Sequence, residues 1–160
     1  MELFLQEKFS LNSKVVISDA DKNPVFIGKK GFFSGKMKLI DATTKKKLAT
    51  IIEKRSLFLG RRFIVKKGFK KLAKIKKKLS LVNQKFSIKN LGWDIKGNFT
   101  AKEYTITKGE ELIATITRNH LIALFEGYRI EITNSDDAAI VVAIVMVLNK
   151  ILGERKAKLI

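Results

Sequence analysis

The stretch AAIVVAIVMVL, residues 138–148, carries no polar side chain on any face. An α-helix that is apolar all round must also be buried all round. The run and its flanks predict a helix from about residue 137 to 152, which spans roughly 22 Å at about 1.5 Å per residue. This is too short to cross a bilayer, which takes roughly 20 apolar residues. We therefore expect the rest of the chain to fold around this helix.

The residues on either side of the run have the properties of helix ends. Asn134 or Ser135 can cap the helix at its start, and Gly153 can end it. Lys150 would then lie in the last turn, where a cation interacts favourably with the helix dipole. The β-branched residues leave a strand as the alternative, but an unbroken apolar run of this length exceeds the usual strand.

Short strand patterns separated by turn residues fill the chain before the helix, as is typical of an all-β barrel or sandwich. Barrels of about eleven strands can enclose a central helix, and we expect about twelve strands here. The predicted fold is mainly β, a closed barrel of antiparallel strands around a buried hydrophobic C-terminal helix, in one domain over residues 1–160. The expected strands are 2–9, 14–18, 25–29, 36–40, 47–53, 60–66, 70–78, 85–89, 92–96, 102–107, 111–118 and 127–133.

A small tetrapeptide pattern recurs in strands that follow a hairpin turn. The period of two along a strand puts the Ala and the final Ile of each copy on one face. Ala on an inward face would let the helix backbone approach closely, although small and β-branched residues also simply suit strands. The three copies are Leu48-Ala49-Thr50-Ile51, Leu72-Ala73-Lys74-Ile75 and Ile113-Ala114-Thr115-Ile116.

The composition indicates a folded and strongly basic protein. The chain has 160 residues, 46% of them hydrophobic, and no Cys, so it can bury a core and cannot form disulfides. Its formal net charge of +18 favours an acidic partner, namely nucleic acid, an anionic membrane surface or an acidic protein. The alternative is a charged surface that is merely solvated. We expect a cytoplasmic protein without a transmembrane segment. If it binds lipid, it would associate peripherally with the membrane. The sequence carries no signal for an oligomeric state.

The most basic segment, residues 61–78, contains no acidic residue and is predicted to form a hairpin. If Phe63, Val65, Ala73 and Ile75 face inward, the charges between them face outward. Arg offers a fork for phosphate oxygens and Lys a point charge, so such a face can bind clustered phosphates. The alternative is a solvated strand edge that repels other sheets. The candidate anion-binding residues are Arg62, Lys66, Lys67, Lys70, Lys74, Lys76 and Lys78.

No arrangement of residues predicts catalysis, a cofactor or a metal site. His120 is the single His, and no nucleophile-elbow motif accompanies it. Asp19-x-Asp21-x-Asn23 imitates the start of a calcium loop, but Pro24 stands where that loop needs Gly and Lys30 where it needs Glu. We interpret this segment as a hairpin turn and the protein as a non-enzyme.

The order of these elements resembles the tubby-like C-terminal fold and, within it, the LURP-one-related family with its small bacterial members. The resemblance implies a twelve-stranded barrel around a hydrophobic helix. Tubby relatives bind phosphoinositides through basic residues on the barrel exterior, whereas scramblase relatives carry a membrane anchor that we do not find here. The segments that carry the resemblance are VVISD (15–19), NPVF (23–26), MKLID (37–41), KLATI (47–51), WDIKGNF (93–99) and YRIEI (128–132), followed by the apolar helix.

These observations favour a non-enzymatic binding module for anionic lipid head groups or an anionic membrane surface. Two alternatives stay open: a nucleic-acid-binding protein that uses the same basic patch, and a structural domain whose partner is another protein.

Overall fold

The computed structural model describes residues 1–6, 14–30, 35–56, 60–78, 85–98, 101–119 and 127–158, with the backbone alone at residues 56, 60, 77, 78, 85 and 152–158. Across these residues the chain forms twelve strands, a 3₁₀ turn (Ser135–Asp137) and one helix, α1 (Ala138–Lys158). The strands are β1 (Glu2–Gln6), β2 (Lys14–Ser18), β3 (Pro24–Lys30), β4 (Lys36–Asp41), β5 (Lys47–Ser56), β6 (Gly60–Lys67), β7 (Lys70–Lys78), β8 (Lys85–Lys89), β9 (Trp93–Asn98), β10 (Glu103–Lys108), β11 (Glu111–Asn119) and β12 (Gly127–Ile132).

The strands form a closed antiparallel barrel. Each strand pairs with the next one along the chain, and β1 pairs with β12 to complete the ring. At this seam Leu3 lies opposite Ile130 and Leu5 opposite Tyr128, and all four side chains are buried. The predicted fold, a barrel of twelve antiparallel strands with a C-terminal helix, is confirmed.

The helix supplies the core of the barrel. Every residue from Val141 to Leu148 is buried, so all faces of this part of α1 are covered, as its apolar sequence predicts. Of the two candidate caps, Asn134 caps the 3₁₀ turn that leads into α1: its side-chain Oδ1 accepts a hydrogen bond of 3.0 Å from the backbone N–H of Asp136.

The predicted end of the helix is wrong. Gly153 does not end α1, which continues to Lys158. Glycine inside a helix costs only about 1 kcal/mol relative to alanine, and the residues after it, Glu154 to Lys158, are good helix formers. Lys150 therefore lies about two turns before the end of the helix rather than in its last turn.

The repeated tetrapeptides face inward, as predicted. The inward set is fully buried or nearly so and consists of Ala49, Ile51, Ala73, Ile75, Ala114 and Ile116. The helix backbone lies nearest to β5, β6 and β7, and two of these strands carry an Ala of the pattern. Gly28 on β3 shows a similar close approach, because a Cβ atom there would lie 2.7 Å from Cε of Met146.

The two ends of the barrel differ. The turns of the β2–β3, β4–β5, β6–β7, β8–β9 and β10–β11 hairpins lie at the end where α1 begins, which we call the base. The opposite end, which we call the mouth, receives the C-terminal half of α1 with Asn149 and Lys150. The candidate basic hairpin, β6–β7, runs from the mouth to the base.

Candidate anion-binding face

The inward side chains of β6 and β7 fix the orientation of the basic hairpin. Phe63 and Val65 on β6, and Ala73 and Ile75 on β7, are at most 1% exposed. Successive strand residues point to opposite faces, so the basic residues between them point outward. The structure places four of the predicted residues on this outer face, each half-buried: Arg62, Lys66, Lys74 and Lys76.

The other predicted residues lie at the two ends of the hairpin. Lys67 and Lys70 face each other across the turn at the base, and both are exposed. Lys78 pairs with Lys85 at the mouth, and the side chains of both lie outside the described residues.

Cations on neighbouring strands lie directly opposite one another on this face. Arg62 has Lys54 of β5 on one side and Lys76 of β7 on the other. In the next row, Lys74 lies opposite Lys89 of β8. Like charges in directly opposed positions, with Cβ atoms about 5 Å apart, destabilise a sheet. Lys54 and Lys89 extend the candidate site beyond the hairpin predicted from the sequence. The up-and-down strand order places them on the neighbouring strands, but the residues that they face depend on the register.

The sequences of β5 to β8 place no carboxylate on this outer face. The one acidic residue in the sequences of β5 to β8 is Glu53, which points inward. Among the residues that the structure describes, no ion pair involves the predicted site residues. The pKa of Lys74 is lowered, first by repulsion from Lys76, then by lost hydration, and further by Arg62, Lys71 and Lys89. The face is thus a cluster of mutually repelling charges.

Part of the outer face is covered by its own side chains. Ile64 lies on the outside between Ile52 and Lys74, yet it is only 7% exposed. Lys and Arg cover apolar surface with their stems while the charged heads stay in water, which accounts for this burial. The Nε atom of Arg62 is also buried and has no hydrogen-bond partner within the described residues. The cations of this face therefore flank a covered apolar position.

The topology rules out the alternative that these charges protect an open strand edge. Charges on an edge strand prevent pairing with other sheets. Here β6 and β7 are hydrogen-bonded on both sides, β6 to β5 and β7 to β8, within a closed ring. The basic residues therefore do not serve to block an open edge.

A second cluster of charges lies at the mouth of the barrel, around the inward-pointing Glu53. The side chain of Glu53 is 5% exposed and lies at an inward position opposite Phe63. Its Oε2 atom accepts a hydrogen bond of 2.7 Å from Nζ of Lys150, and Oε1 accepts from Nε of Arg61 at 2.5 Å and of Arg55 at 2.7 Å. Burial would raise the pKa of Glu53, but the hydrogen bonds from Arg61, Lys150 and Arg55 outweigh it and lower the pKa to about 2. This carboxylate therefore ties the helix to β5 and β6.

Sequence reasoning missed this cluster although a signal was present. Ile51 was placed inward by the tetrapeptide pattern, and Glu53 follows it by two residues on the same face. A buried carboxylate requires a cationic or hydrogen-bonding partner. Lys150 is the helix cation closest in sequence to the apolar run 138–148.

A third interior group involves Lys102, which is 6% exposed. Its Nζ atom lies 4.9 Å from the ring centre of Tyr128, within the range of a cation–π interaction. The hydroxyl of Tyr128 donates a hydrogen bond of 3.2 Å to Oδ1 of Asn149 on α1. Lys102 and Lys150 are thus engaged with interior partners, and the cations open to a ligand lie on the outside.

The segment that imitates a calcium loop is a hairpin turn, as interpreted. Both carboxylate oxygens of Asp19 accept hydrogen bonds from Asn23, at 2.8 Å from its backbone N–H and at 3.2 Å from its side chain. Within the described ranges, no three His, Cys, Asp or Glu residues are placed to hold a metal ion. His120 lies outside the described residues, and the absence of catalysis stays a prediction.

Among the residues that the structure describes, no helix is long and apolar enough to cross a bilayer. The chain is 29% identical to the uncharacterized protein YxjI of Bacillus subtilis (strain 168) over 153 residues, which cover 95% of this chain and 94% of that protein. A protein from Arabidopsis thaliana with an X-ray structure has the same fold, with a TM-score of 0.66 at 17% identity over 94% of this chain and 91% of the plant chain. The model of the LURP-one-related family matches residues 1–149, which confirms the resemblance, and the chain belongs to this family.

Proposed function

We propose that the protein is a non-enzymatic binding module for anionic lipid head groups, which it meets with the outer face of β5 to β8. The observation that supports this most directly is the opposed row of Lys54, Arg62 and Lys76, with no acidic side chain on the face. Such a row is unfavourable in the free protein. Phosphate groups would relieve the repulsion, since they bring opposite charge to the cations. Each Lys or Arg near an anionic membrane contributes about 1 kcal/mol to the binding free energy.

Lipid fits this face better than nucleic acid. The face is the outside of a barrel wall with half-buried cations that flank a covered apolar position, and the inward position of Phe63 leaves it without an aromatic there. Proteins that bind single-stranded nucleic acid usually stack several bases on exposed aromatic side chains. In the proposed role the protein is cytoplasmic and associates peripherally with the anionic inner leaflet.

The test compares two pairs of substitutions that remove equal charge. Lys74→Gln with Lys76→Gln should reduce binding to vesicles of phosphatidylcholine and phosphatidylserine by about 2 kcal/mol, or about thirtyfold in the partition constant. Lys96→Gln with Lys108→Gln removes two exposed lysines from β9 and β10 and serves as the matched control. Both variants should keep the wild-type stability within about 0.5 kcal/mol, since they change exposed or half-exposed positions.

The salt dependence and the lipid dependence distinguish the candidate functions. Binding should be absent with pure phosphatidylcholine and should weaken as salt shortens the screening length from about 10 Å at 0.1 M to about 3 Å at 1 M. Equal losses in the two variants would show that net charge alone drives binding. Tight, salt-dependent binding to duplex or single-stranded oligonucleotides without vesicle binding would favour the nucleic-acid function.

A further inference from the structure

The tip of the basic hairpin carries a fully exposed aromatic side chain. Phe69 is 104% exposed, whereas Phe side chains in proteins normally bury a large area. It occupies the second position of the two-residue turn Gly68-Phe69, between Lys67 and Lys70. Gly68 has a φ of +58°, which glycine adopts without steric cost. The turn geometry thus depends on Gly68 and places no demand on residue 69.

A second turn at the base of the barrel shows that this geometry needs no aromatic. The β10–β11 hairpin turns through Gly109-Glu110, between Lys108 and Glu111, and Gly109 also has a φ of +58°. Glu110 thus takes the position that corresponds to Phe69. Two-residue turns favour polar residues there, so the turn itself does not account for an aromatic side chain at position 69.

Lysines surround Phe69 on both strands. Lys67 lies opposite Lys70, and Lys66 lies opposite Lys71 in the next pair of the hairpin. An exposed apolar side chain ringed by cations matches the boundary of an anionic bilayer, where apolar groups enter below the head groups and Lys side chains bind phosphates. Within the described residues, Phe69 is the one large aromatic among the exposed apolar side chains, so the tip does not form a stacking platform of successive aromatics.

We infer that Phe69 inserts into the interfacial layer of an anionic membrane while the lysines on either side of it bind lipid phosphates. This inference rests on the proposed function and adds an orientation to it. Lys74 follows Phe69 by five residues, which is about 17 Å along a strand. For both to reach the membrane, the barrel must lean onto the β6–β7 side with its base toward the bilayer.

A tryptophan at the tip tests the insertion directly. The native Trp93 is 6% exposed and remains as a constant background. The Phe69→Trp variant should gain a blue-shifted emission on vesicles that contain phosphatidylserine, and brominated acyl chains should quench it. The matched control is Glu110→Trp at the equivalent turn, which should show neither change. Phe69→Ala should weaken vesicle binding about five- to tenfold through lost apolar burial, and Phe69→Leu should retain most of it.

The outcomes separate the insertion from the proposed function. If the Phe69→Trp variant binds vesicles and the emission of its introduced tryptophan is unchanged and unquenched, the inference fails while binding by charge stands. If the wild-type protein does not bind anionic vesicles at all, both fail. Quenching of the introduced tryptophan by a single-stranded oligonucleotide, with no response to vesicles, would overturn the inference in favour of base stacking.

Discussion

The Glu53→Gln substitution removes a negative charge that three cations share at the mouth of the barrel. Glu53 is 5% exposed in its side chain and Lys150 is 11% exposed, so both lie in a poorly hydrated environment. Removing one partner of a buried ion pair costs about 3–5 kcal/mol, because the other charge stays buried without compensation. We expect this loss in the free energy of unfolding at pH 7, with the fold retained.

The converse substitution should cost less. In Lys150→Met the carboxylate keeps its hydrogen bonds to Arg61 and Arg55, so we expect a loss of about 1.5–3 kcal/mol, the contribution of a single charged hydrogen bond. The double variant should be less destabilised than the sum of the two single variants, since the second change removes the charge left unpaired by the first.

The contribution of Glu53 should depend on pH with a definite sign. Its pKa in the folded protein, about 2, lies below the ordinary value of 4.5. The ionised group therefore stabilises the fold fully above about pH 4.5 and loses this contribution as the pH falls toward 2. At about 1.4 kcal/mol for each tenfold change in proton affinity, the contribution is about 3.5 kcal/mol. The stability difference between wild type and Glu53→Gln should shrink across this range.

Urea unfolding followed by Trp93 fluorescence, at several pH values between 2 and 7, measures all these quantities. A loss below about 1 kcal/mol for Glu53→Gln at pH 7 would refute the argument, because that is the contribution of an exposed ion pair. A stability difference that does not change between pH 5 and pH 2 would also contradict it.

Three further substitutions test the packing of the barrel. Gly97→Ala should destabilise the protein by several kcal/mol, since Gly97 has a φ of +144° and a Cβ there would lie 2.5 Å from Cα of Tyr104. Unfolding of this variant in urea at nearly the wild-type midpoint would contradict the prediction. Asn134→Ala removes the helix cap and should cost about 1 kcal/mol, measured by the same unfolding experiment, with Asn134→Ser as the conservative control. Ile144→Asp places an unpaired charge at a position that is 0% exposed and should prevent folding, so cooperative unfolding of this variant by circular dichroism would argue against a buried helix.

Local patterns in the sequence predicted the barrel because each element carries its own signal. Alternation and turn residues located the strands, and a run without polar residues identified the central helix. Gly153 misled the prediction of the helix end, because the cost of one glycine is small beside the propensity of the residues that follow. The burial of Ile64 on the outer face also could not be predicted, since it depends on where the long side chains of neighbouring strands lie.

The candidate site was predictable in part. Because Phe63 and Ala73 point inward, the basic residues that alternate with them on β6 and β7 point outward. Predicting this orientation required only the two-residue period of a strand. The rows that include Lys54 and Lys89 depend on the register between strands, which a β-bulge after Val65 shifts. Alternation after Ile51 indicates that Glu53 points inward, but its contact with Lys150, 97 positions away along the chain, forms only in the assembled barrel.

The position of α1 after all twelve strands has a consequence for how the protein folds during synthesis. Each strand turns its apolar face toward a helix that leaves the ribosome later than the strand does, and the β1–β12 seam also waits for residues near 130. A growing chain therefore has no complete hydrophobic core to form before the helix arrives, and contacts so distant in sequence form slowly. Most of the wall must stay unfolded and protected from aggregation until its final element is made, so folding is expected to begin only after translation of the helix.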